Sequence, residues 1–125
     1  MEIAFTDREL DVMGVLWDLG SATVAEVRDR LADPLAYTTV LTILRTLEEK
    51  GRIRHEEEGR AHRYYPLVQR DEAGSNALRR MVRKLFRGSP EALLTQLVSE
   101  RQLTQEQLRR MRALLEARLK EERGA

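Results

Sequence analysis

The hydrophobic period of this sequence changes near residue 52. Before that point, apolar residues recur at helical spacing in three successive segments. After it, residues 53–68 are rich in residues that favour strands and contain EEGR at 57–60, a turn signal. We predict strands over 52–56 and 61–67, joined as a hairpin. A chain whose apolar spacing changes in this order, from helical to strand-like, is expected to fold as an α-rich unit that ends in a small β-hairpin.

Capping boxes mark the starts of the first two helices. Thr6 and Thr23 each stand three residues before a Glu, so that hydroxyl and carboxylate can satisfy each other's backbone N–H groups. The predicted helix ends are Gly20, Asp33-Pro34 and Lys50-Gly51. Three helices, a short link between the second and third, and then a hairpin form the winged helix-turn-helix pattern.

The third helix, in YTTVLTILRTLEEKG at 37–51, has two unlike faces. Its apolar face holds Val40, Ile43, Leu44 and Leu47. Its polar face holds Thr38, Thr42, Arg45, Thr46 and Glu49, with Thr39 and Leu41 on the flanks. Thr lowers helix propensity, but a short hydroxyl side chain lets a helix approach base edges closely. The helix alone leaves two interpretations open, a DNA-recognition helix and a solvated face that happens to be rich in Thr, and the hairpin that follows favours DNA binding.

The second half is helical again, and its apolar residues have little of their own to pack against. Helices are predicted over 71–86, from Ser89-Pro90 to about Ser99, and from a third capping box at Thr104 onward. We expect a winged-helix domain at 1–70 and helical dimerisation at 71–125, the alternative being helices folded back on their own chain. The predicted dimerisation residues are Leu78, Val82, Leu94, Leu97, Leu108, Met111, Leu115 and Leu119.

Composition excludes several classes of function. The 125 residues include no Cys, which removes disulfides and thiol catalysis and fits a reducing cytoplasm. We find no membrane-spanning apolar run, signal peptide, nucleophile elbow or phosphate-binding loop, so we expect a cytoplasmic protein that is not an enzyme and needs no cofactor. Residues 1–70 carry 10 Lys and Arg against 13 Asp and Glu, so any basic footprint for DNA must be local.

The two histidines of the chain both fall in the predicted hairpin. If the hairpin turns about Glu58-Gly59, His55 faces His62 directly and Ile53 faces Tyr64. A cross-strand His pair could bind a metal ion. We favour two imidazoles on a half-exposed wing, because no thiolate or fixed third ligand accompanies them, and we assign no metal site.

Several blocks of this sequence, in order, resemble the penicillinase-repressor family of the BlaI, MecI and CopY type. The blocks are FTDRELDVMGVLWDLG, TVAEVRDRL, AYTTVLTILRTLEEKG, RYYPLV and LTQEQLRRMRALLEARLK. The resemblance implies a dimeric winged-helix repressor of a palindromic DNA operator, with intertwined C-terminal helices and the third helix in the major groove.

The resemblance also implies roles for individual positions. In the family, Thr38, Thr39 and Thr42 occupy DNA-contacting positions, and Arg60 and Arg63 lie on the wing near the DNA backbone or minor groove. The position of Leu41 often carries a polar residue in relatives, so a base contact there is lost or becomes apolar. The acidic run at 56–58 opposes strong wing binding to DNA.

Two kinds of induction signal known in the family depend on sequence features that can be looked for in this chain. Copper-sensing members carry C-terminal cysteines, which this chain lacks. Antibiotic-resistance members are cut by a membrane protease sensor at an Asn-Phe pair, which Gln96-Leu97 replaces here. A rival function from another class is a winged-helix adaptor that uses the threonine face and the wing to bind a protein.

Overall fold

This computed structural model describes residues 3–124, which contain six helices and three short strands. The helices are α1 Asp7–Leu19, α2 Val24–Arg30, α3 Tyr37–Glu49, α4 Arg70–Leu85, α5 Pro90–Val98 and α6 Gln105–Gly124. The strands are β1 Ala22–Thr23, β2 Ile53–Glu58 and β3 Ala61–Pro66. The predicted fold class, mainly α with a small hairpin wing, is confirmed.

Hydroxyl side chains cap four of these helices, as the sequence predicts. Thr6, Thr23 and Thr104 each accept a hydrogen bond from the backbone N–H three residues later, and the side chain there accepts one in return. Ser89 caps α5 by accepting from the Ala92 N–H at 3.1 Å, with Pro90 as the first helical residue. Each cap satisfies backbone donors that a helix leaves unpaired in its first turn.

The hairpin register differs from the predicted one. Tyr64, not His62, lies opposite His55, and Glu57 lies opposite His62. The loop is Gly59-Arg60, one residue later than predicted, and Gly59 has a φ of 61°. A two-residue hairpin loop of this kind needs positive φ at its first position, where glycine is favoured. The glycine therefore sets the register and moves every cross-strand pair.

A third strand that the sequence did not predict completes the sheet. The two residues of β1 pair antiparallel with β3, so that Ala22 lies opposite Tyr64, and the strand order is β1-β3-β2. The core beneath joins α1, α2, α3 and the sheet. Its largest fully buried side chains are Val12, Met13, Leu16, Val27, Val40, Leu44, Leu47, Ile53 and Tyr64.

Two polar contacts tie distant parts of this core region together. The buried Glu9 carboxylate accepts from the Thr6 N–H with one oxygen, and its other oxygen lies 2.9 Å from Lys50 Nζ. Burial raises the pKa of Glu9, but the bonds from Thr6 and the Lys50 ammonium outweigh it, and the net shift is downward. The indole N–H of Trp17 donates to the Val68 carbonyl at 2.8 Å. These contacts join the start of α1 to the end of α3, and the end of α1 to the segment after β3.

Contacts within the chain divide it into two compact units, Met1–Arg79 and Arg80–Ala125. The first unit includes the beginning of α4, where Ala73 is buried. The second contains α5 and α6, in which no residue is buried. Among the described residues, no helix combines the length and apolar content that a membrane span requires.

Candidate nucleic-acid interface

The two faces of α3 have the environments that their residue types predict. Val40, Leu44 and Leu47 are fully buried, and Ile43 is half-buried against the same core. Thr38, Thr39, Thr42 and Arg45 are exposed, Thr46 is half-buried, and Leu41 packs partly against the core. The core thus holds α3 by one side and leaves a short, polar side chain at most positions of the other.

The Thr42 hydroxyl is already engaged within α3. It donates to the Thr38 carbonyl at 2.9 Å, one helical turn earlier. This bond uses the hydroxyl hydrogen and leaves the oxygen lone pairs and the methyl group available. Thr42 can therefore accept a hydrogen bond from a base or contact a thymine methyl.

Unlike the four hydroxyl-capped helices, α3 begins without a side-chain cap. Its N-cap is Ala36, so side chains leave the backbone N–H groups of its first turn open. Tyr37, the first helical residue, is 46% exposed, and the Arg28 guanidinium lies 5.8 Å from its ring centroid. Arg28 and Tyr37 were not predicted from the sequence, although an aromatic residue at an uncapped helix start was visible there. Arg28 Nε also lies 3.4 Å from Asp29 Oδ1, at the long end of an ion pair, so the open N–H groups are the main feature of this end that suits a phosphate.

The candidate arginines fall into two groups. Within the described residues, neither Arg45 on α3 nor Arg60 in the hairpin loop forms an ion pair, and both are exposed. Arg63 lies 3.0 Å from Glu26 and 2.9 Å from Glu58, and its side chain is only 24% exposed. Arg45 and Arg60 are available to a phosphate, whereas Arg63 is occupied within the chain.

The acidic run of the wing is partly neutralised by the hairpin itself. Glu56 pairs with Arg54 at 2.8 Å, and Glu58 pairs with Arg63. Glu57 lies on the other face of the hairpin, opposite His62. Because two of the three carboxylates have a cationic partner, the wing repels a phosphate backbone less than its sequence indicates.

The two histidines stack, although their predicted pairing was wrong. Their rings lie diagonally across the strands, with centroids 4.3 Å apart and planes 11° apart. His55 Nδ1 also lies 2.6 Å from Glu48 Oε2, which joins the wing to α3. Imidazole nitrogens bind metals in the ring plane, so two parallel stacked rings do not converge on one ion. Residues 3–124 contain no group of three His, Cys, Asp or Glu side chains that could hold one.

The predicted dimerisation residues keep much of their apolar surface exposed in the single chain. Leu78, Leu97, Leu108, Leu115 and Leu119 are exposed, and Val82, Leu94 and Met111 are half-buried. Leu115 and Leu119 are 51% and 59% exposed. Gln96 and Leu97 both lie exposed on α5.

Comparison with known proteins identifies relatives that are named as repressors. A family model described as penicillinase repressor matches residues 5–117. The penicillinase repressor of Bacillus licheniformis is 26% identical over 113 residues, which cover 89% of this chain and 88% of that protein. The family model and this relative are both described as repressors, which agrees with the prediction that the chain is not an enzyme.

Solved structures agree with the fold. The solution structure of the DNA-binding domain of the repressor BlaI matches with a TM-score of 0.51 and 32% identity, over 58% of this chain and 93% of that chain. The solution structure of monomeric Bacillus licheniformis BlaI in complex with the blaP half-operator matches with a TM-score of 0.50 and 31% identity, over 58% and 90%. The family match over most of the chain confirms the resemblance seen in the sequence: this protein belongs to the penicillinase-repressor family.

Proposed function

We propose that this chain is a dimeric, sequence-specific transcriptional repressor that binds a palindromic DNA operator with α3 in the major groove. The observation that carries the proposal is the exposed threonine face of α3, held outward by a buried apolar face. A related repressor of the same fold has been solved on its half-operator, which supports DNA as the ligand.

Specific contacts come from the middle of α3. Thr38, Thr39, Thr42 and Thr46 are short enough for the helix backbone to approach base edges closely. Arg45, exposed and free of ion pairs within the described chain, is long enough to reach a guanine edge or a phosphate. The bases are read by this face of the helix.

Phosphate contacts fix the register of α3 on the duplex. The open N–H groups at the start of α3, together with Tyr37 and Arg28, suit a phosphate at one end of the helix. Arg60 at the wing tip suits a second phosphate further along the backbone. These contacts position the helix but do not read sequence.

A second copy of the chain completes the operator-binding unit. The apolar residues of α5 and α6 remain unburied within one chain, and a homodimer buries them against the same residues of its partner. Two linked α3 helices then bind two half-sites one DNA turn apart, which multiplies the affinity of one half-site.

A proteolytic release like that of the family would fall at Gln96-Leu97, the pair that stands here in place of Asn-Phe. Gln96 and Leu97 are exposed on α5, ahead of the whole of α6, so a cut between them separates α6 from the DNA-binding unit. Loss of α6 weakens the dimer and therefore the operator complex. A membrane protease sensor is the partner that this route requires.

The test is a gel-shift titration of the purified chain against its own upstream DNA and a scrambled fragment of equal length. We expect tighter binding to the upstream DNA, with an affinity that falls steeply as salt rises. Light scattering on the same sample measures the dimer. Equal affinity for both fragments would contradict specific repression, and no DNA binding at all would favour a protein-binding adaptor.

A further inference from the structure

Arg63 is held by carboxylates from two different elements of the fold. Its Nη2 lies 3.0 Å from Glu26 Oε1 in α2, and its Nε donates to Glu58 Oε2 in β2 at 2.9 Å. Its Nη1 donates to Ser21 Oγ at 3.4 Å. All three guanidinium nitrogens therefore have a partner within the chain, and the side chain is 24% exposed.

Glu26 connects this arginine to the start of α2. The same Oε1 that faces Arg63 accepts the Thr23 N–H at 3.0 Å in the capping box, and Thr23 lies opposite Arg63 in the sheet. Hydrogen bonds from Thr23 and the charge of Arg63 lower the pKa of Glu26. The bond to Glu58 and the charge of Glu26 raise the pKa of Arg63. Both groups are held in their charged forms.

Glu58 connects the same arginine to the tip of the wing. It is the last residue of β2 and immediately precedes the Gly59-Arg60 loop. A two-residue loop has little conformational freedom when a residue that flanks it is held in place. The ion pair of Glu58 with Arg63 therefore sets the direction of the tip, and with it the place of Arg60.

We infer that Arg63 is a positioning residue for DNA binding, which ties the wing tip to the start of α2 and so sets where Arg60 meets the DNA backbone. The inference rests on the proposed function, and it replaces the direct DNA contact that the family resemblance implies for Arg63. A direct phosphate contact would have to compete with two ion pairs inside the chain for the same guanidinium. A positioning role keeps them both.

The first arm of the test uses the free full-length chain and hydrogen exchange. Arg63→Gln and Glu58→Gln each remove the Glu58–Arg63 ion pair, and Glu57→Gln is the matched control for Glu58→Gln, with the same charge change on the opposite face of the same strand. Amide exchange at 57–62 should accelerate about threefold or more in the first two variants and not in the control. Unchanged exchange at the wing, or equal acceleration throughout α3, would overturn the inference.

The second arm measures operator affinity in a double-mutant cycle. Arg63→Gln should weaken binding by about three- to tenfold, and should have no further effect when Arg60 is already Gln. Glu58→Gln should weaken binding in the same direction as Arg63→Gln. Independent, multiplying effects of the two arginines would show a direct contact and overturn the positioning role, as would tighter binding by Glu58→Gln.

The two arms separate the inference from the function on which it rests. If the unchanged chain does not bind its upstream DNA specifically, the proposed function fails, whereas the exchange data still decide whether Arg63 holds the wing. Circular dichroism melts check folding, and Glu58→Gln keeps the test informative if Arg63→Gln unfolds, because Glu58 is 56% exposed.

Discussion

Replacing Thr42 by Ala tests the recognition face with the least disturbance of the fold. Thr42 is exposed, and its hydroxyl is bonded only within α3. A surface substitution of this kind changes the free energy of unfolding by about 0.5 kcal/mol or less, and Ala gains some helix propensity. A change in DNA affinity therefore reports on the contact and not on folding.

The expected loss follows from the contact that Thr42 can make. One base-edge contact is worth about 1–3 kcal/mol, which is roughly a 5- to 150-fold loss of affinity for one half-site. Because the hydroxyl hydrogen is used by the Thr38 carbonyl, we expect the methyl group to supply most of the contact. Thr42→Val, which keeps a methyl, should then bind more tightly than Thr42→Ser, which loses it.

Fluorescence anisotropy on labelled operator and on scrambled DNA measures both affinities. Thr95→Ala is a matched control, because the Thr95 hydroxyl donates to the Glu91 carbonyl at 2.8 Å in the same way, but on α5. Equal losses on both DNAs would make Thr42 a phosphate contact. Unchanged affinity for operator would refute the reasoning and leave the threonine face as ordinary solvated surface.

Three further outcomes are expected. A fragment of residues 1–79 should fold and sediment as a monomer. It should bind a half-site but should lose the tight binding of the full operator, because the two half-sites are no longer contacted by linked subunits. A dimer of this fragment would contradict the proposal. Leu115→Asp should weaken the free energy of dimerisation by about 1.5–3 kcal/mol per subunit, so that light scattering detects a monomer. Ala117→Asp, on the opposite face of α6, should leave the protein dimeric. Glu9→Gln should lower the free energy of unfolding by about 1 kcal/mol at neutral pH. The difference in unfolding free energy between Glu9→Gln and the unchanged chain should disappear as the pH falls below 4.5. The pKa of Glu9 is lowered by folding, so the ionised carboxylate stabilises the fold above pH 4.5 and this stabilisation is lost when it is protonated. A difference that stays constant with pH in urea melts would refute the prediction.

Local sequence determined the helices of this protein and the two faces of α3. A capping box needs only four consecutive residues, and the apolar period of a helix needs only its own turns, so both are readable without a fold. The caps at Thr6, Thr23 and Thr104 and the exposure of Thr38 and Thr42 follow from such local patterns. The candidate recognition face was predictable for the same reason.

Only the tertiary structure decided the features that depend on residues far apart. The two-residue strand β1 has no period of its own and exists because β3 offers it partners. The hairpin register depends on which loop position takes the positive φ of Gly59. Arg63 looks like a free wing cation in the sequence, but Glu26, 37 residues earlier, reaches it once α2 is folded against the sheet. Long-range pairings of this kind leave no local pattern, because their free energy is gained only when the separate elements have come together.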